Sequence, residues 1–234
     1  MISVVCPFYN EKENLPILYR RLQKVLSEVP DETELIFVND GSTDDGEQAL
    51  KALTASDKRV RLLEMKKRYG MTTALYAGLQ KAQGEWILTL DADLQNPPEE
   101  IPKLLAFYRE FDMVTGIREK REDDWLRKIS SKIANGIRRM VLGDHISDIG
   151  CSLRIFRKEL LKCFYPFQGM HRFFPAVVEK DGFRIKQVLV KHGPRQHGLS
   201  KFGVSNRAWK GIKDLFAVKW IRSHKIEYQI KDNS

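Results

Sequence analysis

Trp86-Ile87-Leu88-Thr89-Leu90-Asp91-Ala92-Asp93 is a strand-length run that stops abruptly at two carboxylates. So short a run, bounded by polar residues, reads as a buried strand and not as a helix. The same form recurs on both sides of it. Ile2-Ser3-Val4-Val5 ends at Pro7, Leu35-Ile36-Phe37-Val38 is stopped by Asn39-Asp40-Gly41-Ser42, and Val60 to Leu63 and Met113-Val114-Thr115 complete a set of five. Helical patterns separate them. From Asn14, the residues Leu15, Leu18, Leu22, Val25 and Leu26 fall on one face. A second helix, capped by Ser42 or Thr43, runs to about Ala55, and a third spans Thr72 to Ala82. Pro97-Pro98-Glu99-Glu100 starts a fourth, with Ile101, Leu104, Leu105 and Tyr108 on its buried side. Strands alternating with helices predict an α/β fold: a largely parallel sheet flanked by helices on both faces.

Ligands of such sheets bind beyond the carboxyl ends of the strands. The polar clusters Tyr9-Asn10-Glu11, Asn39-Asp40 and Asp91-Ala92-Asp93 all fall there. No G-x-G-x-x-G follows the first strand, which speaks against a dinucleotide site. Beyond Gly116 the order changes. Trp125 to Leu142 is a long basic helical pattern, Leu153 to Phe156 and Ile185 to Val190 read as strands, and a helix with a tail starts near Ser205. The expected division is a domain over 1–204 and an appended amphipathic segment over 205–234.

At 234 residues the chain is long enough for a sizeable core. Its three cysteines, Cys6, Cys151 and Cys163, match no zinc spacing and no disulfide framework, which favours a reducing cytoplasm. The first residues lack the basic region and cleavage site of a signal peptide, and no apolar run reaches spanning length. The net charge of +9 is concentrated: between Arg184 and Lys225 eleven Lys or Arg face one acid, Asp214. Such a surplus suggests an anionic partner, whether phosphate, nucleic acid or an acidic membrane, or else a solvated basic face.

Asp91 and Asp93, two apart in an extended turn, can both reach a divalent cation and the diphosphate it carries, and Gln95 can add a third oxygen. Asp40 can accept hydrogen bonds from a base or ribose, or cap the next helix beside Ser42. His171, His192 and His197 have no zinc-like partners. Phe164, Tyr165, Phe167, Phe173 and Phe174 read as core rather than as a lipid contact. Trp209, Ile212, Phe216 and Trp220 share a helix face flanked by Lys213 and Lys219. That is the form of an in-plane helix on anionic lipid, or of a terminal helix docked on the protein's own core.

Six stretches, in order, resemble a known family. They are Pro7-Phe8-Tyr9-Asn10-Glu11-Lys12-Glu13-Asn14-Leu15, Val38-Asn39-Asp40-Gly41-Ser42-Thr43-Asp44, Leu90-Asp91-Ala92-Asp93-Leu94-Gln95-Asn96-Pro97-Pro98, Arg127-Lys128-Ile129-Ser130, Asp148-Ile149-Gly150-Cys151 and Arg195-Gln196-His197-Gly198-Leu199-Ser200-Lys201. Over residues 1 to about 205 the chain resembles the family 2 glycosyltransferases of the GT-A fold, in particular the branch of dolichol-phosphate mannosyltransferases and bacterial polyprenyl-phosphate glycosyltransferases. The resemblance implies that Pro7, Tyr9, Glu11 and Asp40 line a nucleotide-sugar pocket together with Lys67 and Ala92. It implies that Asp91, Asp93 and Gln95 hold Mg²⁺ or Mn²⁺, and that Arg118, Arg127 and Ser131 meet an acceptor phosphate. Arg195, Ser200 and Lys201 would close over the donor, and Asp148 stands where relatives with hydroxyl acceptors keep an acid. Asn39 replaces the first Asp of the family's D-D-G-S, Lys67-Arg68 stands where Arg-Asn is common, and Met71 stands where a Lys is common.

The expected activity is therefore inverting, metal-dependent transfer of a sugar from a UDP- or GDP-linked donor to a polyprenyl phosphate. A phosphate monoester is already anionic near neutral pH and needs no general base, only positive charge to approach a diphosphate. Arg118, Arg127, Lys128, Lys132, Arg138 and Arg139 would supply it. Two other readings stand beside this one. In the first, a saccharide or lipid hydroxyl is the acceptor with Asp148 as base; in the second, the chain is a non-catalytic GT-A-like subunit of a membrane complex. The expected place is the cytoplasmic membrane's inner face, or the cytosolic face of the endoplasmic reticulum in a eukaryote. The two spanning helices common in bacterial relatives are not in these residues, which raises either a membrane-embedded partner protein or a sequence that is part of a longer chain. No nucleic-acid-binding motif is apparent.

Overall fold

The computed structural model describes residues 1–55, 57–119, 135–194 and 205–225. Seven strands form one sheet in the order β3-β2-β1-β4-β6-β5-β7. The strands are β1 (Ile2–Phe8), β2 (Thr33–Asn39), β3 (Val60–Glu64), β4 (Trp86–Thr89), β5 (Met113–Arg118), β6 (Arg154–Arg157) and β7 (Ile185–Val190). β1 pairs in parallel with β2 and β4, β2 with β3, and β5 with β7. Only β6 runs against its neighbours, setting Trp86 opposite Arg157 and Thr89 opposite Arg154. The sheet is thus mostly parallel, as the alternating pattern predicts.

The period-2 alternation of side chains decides what each face buries. Ile2, Val4, Cys6 and Phe8 of β1, Leu35 and Phe37 of β2, and Trp86 and Leu88 of β4 point to one side. They pack there on α1 (Asn14–Leu26) and α4 (Ile101–Leu105). Val5, Ile36, Val38 and Ile87 point to the other side, against α3 (Met71–Lys81) and α6 (Met170–Lys180). The α1 residues buried include Leu15, Leu18, Leu22, Val25 and Leu26, the face read from the sequence. Phe164, Phe173 and Phe174 are core residues, also as read.

Two local expectations need correction. α2 (Gly46–Thr54) begins later than a Ser42 or Thr43 cap requires, and no side chain caps it. Ser42 and Thr43 are engaged elsewhere: the Asn10 amide donates to Ser42 Oγ at 3.0 Å, and the Thr43 amide donates to Asn10 Oδ1 at 2.7 Å. These bonds tie the loop after β1 to the loop after β2. The long basic helix is described over 135–142, designated α5; its expected beginning lies outside the described residues.

The C-terminal helix α7 (Ser205–Ser223) docks on the α6 side of the sheet. Leu215 and Val218 enter the core, whereas Ile212, Phe216 and Trp220 remain exposed on the opposite side. The Trp209 side chain lies outside what is described. Asp181, just after α6, accepts from Lys225 at 3.1 Å and pairs ionically with Arg222 at 3.6 Å, which fastens the end of the helix. One face thus docks on the core, as one of the two expectations has it, and the face read as interfacial is exposed.

Candidate functional site

A cleft of about 330 Å³ opens at the carboxyl ends of β1, β2 and β4. This volume lies within the range of small-molecule sites. Pro7, Tyr9, Glu11, Asp40, Asp91, Ala92, Asp93 and Gln95 all line it, so the three polar clusters converge as the strand pattern implies. Two non-glycine residues with positive φ flank it, Asn10 at 52° and Leu94 at 60°. Asn tolerates this conformation, but for a bulky Leu it is unusual and costs strain, which such sites often hold. The turn at Leu94 follows Asp93, and the Gln95 amide donates back to Asp93 Oδ1 at 3.2 Å.

Asp40 is anchored where β2 ends. Its Oδ1 accepts from the Tyr69 amide at 2.7 Å and its Oδ2 from the Gly70 amide at 2.9 Å. It therefore holds the entry to α3 and does not cap α2. Lys67 is not among the residues lining the cleft; its Nζ stands 5.4 Å from the Tyr69 ring centroid. Arg68 lines the cleft instead, its guanidinium 4.3 Å above the Tyr9 ring. The basic pair thus points its second member inward, a distinction that spacing alone does not make.

The carboxylate pair suits a cation. Asp91 Oδ1 is a buried atom without a hydrogen-bond partner among the described residues. Burial, and then the charge of Asp93, push the Asp91 carboxyl up to about 6. A divalent ion between two such carboxylates would satisfy the orphan oxygen and relieve the repulsion. No group of three or more His, Cys, Asp or Glu could hold a metal among the described residues. Further ligands would then come from Gln95, a diphosphate and water, which matches the habit of Mg²⁺.

The opposite wall comes from the segment before β6 and from the start of α6: Ile149, Gly150, Cys151, Ser152, Arg154, His171 and Arg172. Of these, Ile149, Gly150 and Cys151 belong to a stretch that carries the family resemblance, and His171 stood out only as a metal ligand to be dismissed; Ser152, Arg154 and Arg172 were not singled out. Arg154 is buried and donates to the carbonyls of His171 at 2.6 Å and Ile149 at 2.7 Å. Burial lowers its pKa to about 10, so it stays a cation at neutral pH, near Asp91 and Asp148. Nothing in the local sequence distinguishes it from an ordinary strand residue; the antiparallel pairing with Thr89 brings it to the cleft.

Arg118, at the end of β5, donates to Asp148 through Nε at 2.7 Å and Nη2 at 2.8 Å. Asp148 also accepts from the amide of the cleft residue Gly150 at 2.9 Å. Burial alone would raise the Asp148 carboxyl, but the Arg118 bonds and charge outweigh it and hold the group below its usual range. Arg138 is buried and bonded to Asp144 and to the Ile146 carbonyl, which removes it from the cations expected to meet an acceptor. Arg127, Ser131, Arg195, Ser200 and Lys201 lie outside the described residues, as do Lys128 and Lys132.

Comparisons with known proteins bear on the family and the fold. Residues 3–164 match the family model described as glycosyl transferase family 2. The chain is 38% identical over 203 residues to an undecaprenyl-phosphate 4-deoxy-4-formamido-L-arabinose transferase from Proteus mirabilis, covering 86% of this chain and 62% of that protein. It is 37% identical over 230 residues to a dodecaprenyl-phosphate galacturonate synthase from Rhizobium johnstonii, covering 96% of this chain and 68% of that one. Among solved structures, glucosyl-3-phosphoglycerate synthase from Mycobacterium tuberculosis, in complex with Mn²⁺, UDP and phosphoglyceric acid, is similar with a TM-score of 0.70. The identity is 19%, and the match covers 97% of this chain and 80% of that chain. This likeness concerns the fold, which is GT-A.

Proposed function

The chain belongs to glycosyl transferase family 2, and from that premise we propose that it transfers a sugar from a nucleoside diphosphate sugar to a polyprenyl phosphate. The observation that carries the donor half is the Asp91–Asp93 pair, with its partnerless buried oxygen, at the mouth of β4. The relatives from Proteus mirabilis and Rhizobium johnstonii, named for lipid-phosphate acceptors, support the acceptor half. The solved relative's complex with Mn²⁺ and UDP makes UDP the nucleotide to try before GDP.

In this reading the nucleoside lies against Pro7, Tyr9, Glu11 and Asp40, with Arg68 at its edge. Asp91, Asp93 and Gln95 would hold Mg²⁺ or Mn²⁺, which would offset the charge of the departing nucleoside diphosphate. The acceptor phosphate oxygen attacks the anomeric carbon in line, and the carbon–oxygen bond to the diphosphate breaks. A single displacement inverts the centre. Arg118 stands beside Gly150 with a fork suited to phosphate. Arg127 and Ser131 are proposed beside it, and Arg195, Ser200 and Lys201 over the donor. The geometry of Asp148 favours a phosphate acceptor over a hydroxyl: a carboxylate already spent on Arg118 and two backbone amides makes a poor base.

Residues 1–204 would form the catalytic unit and 205–234 an attachment to an anionic membrane on its cytoplasmic side. No helix among the described residues is long and apolar enough to cross a membrane. The free face of α7, Ile212, Phe216 and Trp220 beside Lys213 and Lys219, has the chemistry of an interfacial helix. A membrane-embedded partner would serve the same end.

The test is transfer by purified protein, with Mn²⁺ or Mg²⁺, from labelled UDP-sugars or GDP-mannose to a short polyprenyl phosphate. Glycolipid from wild type and none from D93A is expected. Metal-dependent nucleotide binding with no transfer to any lipid phosphate would overturn the acceptor assignment and favour a non-catalytic subunit or a hydroxyl acceptor.

A further inference from the structure

Arg172 lines the cleft from the first turn of α6 and is held by a residue of α7. The start of α6 is fixed from three sides. On the side of α3, Thr72 Oγ lies 2.7 Å from His171 Nδ1 and accepts from the Gly169 amide at 2.9 Å. On the side of β6, Arg154 donates to the His171 carbonyl at 2.6 Å. On the third side, Arg172 Nη2 donates to Asp214 Oδ2 at 2.7 Å.

Asp214 is an unexpected residue for that place. It is the one acid in the basic stretch from Arg184 to Lys225, and it sits on the docking face of α7 beside Leu215, only 9% exposed. A docking face built by Leu215 and Val218 has no need of a carboxylate, and burying one is costly unless it is paired. The fold makes room for it. Gly169, at φ +104°, is the N-cap of α6, and a Cβ there would collide with the Asp214 carboxylate. Asp214 therefore faces the positive end of α6 as well as Arg172.

The order of groups along the sheet says what Arg172 would meet. Asp40 stands at the end of β2, Asp91 and Asp93 after β4, and Arg154 on β6, next to β4, with the start of α6 bonded both to Arg154 and to Thr72 of α3. A nucleoside at the β1–β2 end and a diphosphate at the carboxylates leave the β6–α6 wall for the sugar. We propose that Arg172 binds the sugar of the donor and that Asp214 positions its guanidinium, so that α7 completes the donor pocket. This rests on the reading of the cleft as a nucleotide-sugar site. A guanidinium carries five N–H groups, so one bond to Asp214 can fix its plane while others meet sugar hydroxyls or a sugar carboxylate.

The experiment is calorimetric titration of the full chain, with Mn²⁺, by UDP and by UDP-glucose, UDP-galactose and UDP-galacturonate. R172A should weaken the best-bound UDP-sugar about tenfold or more, the scale of one hydrogen bond to a charged group, with UDP itself changed less than about twofold. D214N should act in the same direction, D214E should restore part of the loss, and R172A/D214N should be no worse than R172A. UDP affinity and the melting temperature of each variant report whether it has folded. R172A sits at the cleft and carries the test if the Asp214 variants do not fold. Equal effects of R172A on UDP and UDP-sugar, no effect on either, or additive losses in the double variant would overturn the proposal. If GDP binds and UDP does not, GDP and GDP-mannose take their places in the same titrations; a wild-type chain that binds neither nucleotide would overturn the reading beneath it, and this proposal with it.

Discussion

Arg118 and Asp148, thirty positions apart, meet in a two-pronged ion pair at 2.7 and 2.8 Å, next to the loop that walls the cleft. The pair is partly buried, with side-chain exposures of 34% and 16%. R118A strands the Asp148 carboxylate and should cost about 1–2 kcal/mol at pH 7, after allowance for solvent screening. The pH dependence follows from the lowered carboxyl. A depressed folded pKa contributes stability above the unfolded value of about 3.9, which is lost as pH falls through the folded value. The gap between wild type and R118A in urea melts should therefore shrink from pH 7 to pH 3. A gap that stays constant would mean the pair contributes through packing alone.

Asp91 has the opposite sign. Its folded pKa is raised to about 6 by burial and then by Asp93, so ionising it costs stability as pH rises from the unfolded value through the folded one. D91N should accordingly raise the metal-free melting point at pH 7, by an effect on the order of 1–3 kcal/mol, while abolishing metal-dependent nucleotide binding. A D91N protein that melts lower than wild type without metal would contradict the assigned repulsion.

Two glycines should respond in opposite directions to the same substitution. A Cβ on Gly78 of α3 would lie 2.5 Å from Val5 Cγ1 and 2.9 Å from Val38 Cγ2. G78A should therefore force α3 off the sheet and cost about 1–3 kcal/mol. Among the described residues nothing lies within 4 Å of a Cβ placed on Gly211 of α7. G211A should add about 0.5–1 kcal/mol of helix stability. Thermal melts of the two variants check both signs at once.

The free face of α7 predicts membrane affinity. F216A/W220A should reduce binding to vesicles containing anionic lipid by tenfold or more, since each aromatic is worth about 1.5–3 kcal/mol when buried. K213A/K219A should weaken binding to anionic vesicles and leave binding to neutral ones unchanged, at about 1 kcal/mol per Lys near the surface. Vesicle sedimentation separates the two contributions. Equal binding by all variants would remove α7 from the membrane assignment.

The half of the site built on β1, β2 and β4 was legible in the sequence because strand ends are local events. A short apolar run that stops at Asp40, or at Asp91 and Asp93, announces where a parallel strand finishes. Of the opposite wall only Ile149, Gly150 and Cys151 were marked, by the family resemblance and not by strand pattern. Arg154 reaches the cleft only because β6 runs antiparallel beside β4, and strand direction is set by pairing partners far away in the chain. Arg172 and Asp214 meet across 42 positions. Ser42 and Thr43 look like helix caps on spacing alone, yet Asn10 takes them, because satisfying the loop from β1 competes with capping. Arg68 differs from Lys67 only in the direction of its side chain, which the order of letters does not record.

The reversed strand has a consequence for how the protein comes into being. Residues 86–89 must wait for 154–157 before the central sheet has its second half. Contacts across such separations carry a loop-closure cost that slows folding. During synthesis, the segment through β4 leaves the ribosome with its nucleoside-side residues complete and its β6 edge uncovered. On the proposed reading, contacts to the sugar would then come only with the last third of these residues, after those to the nucleotide.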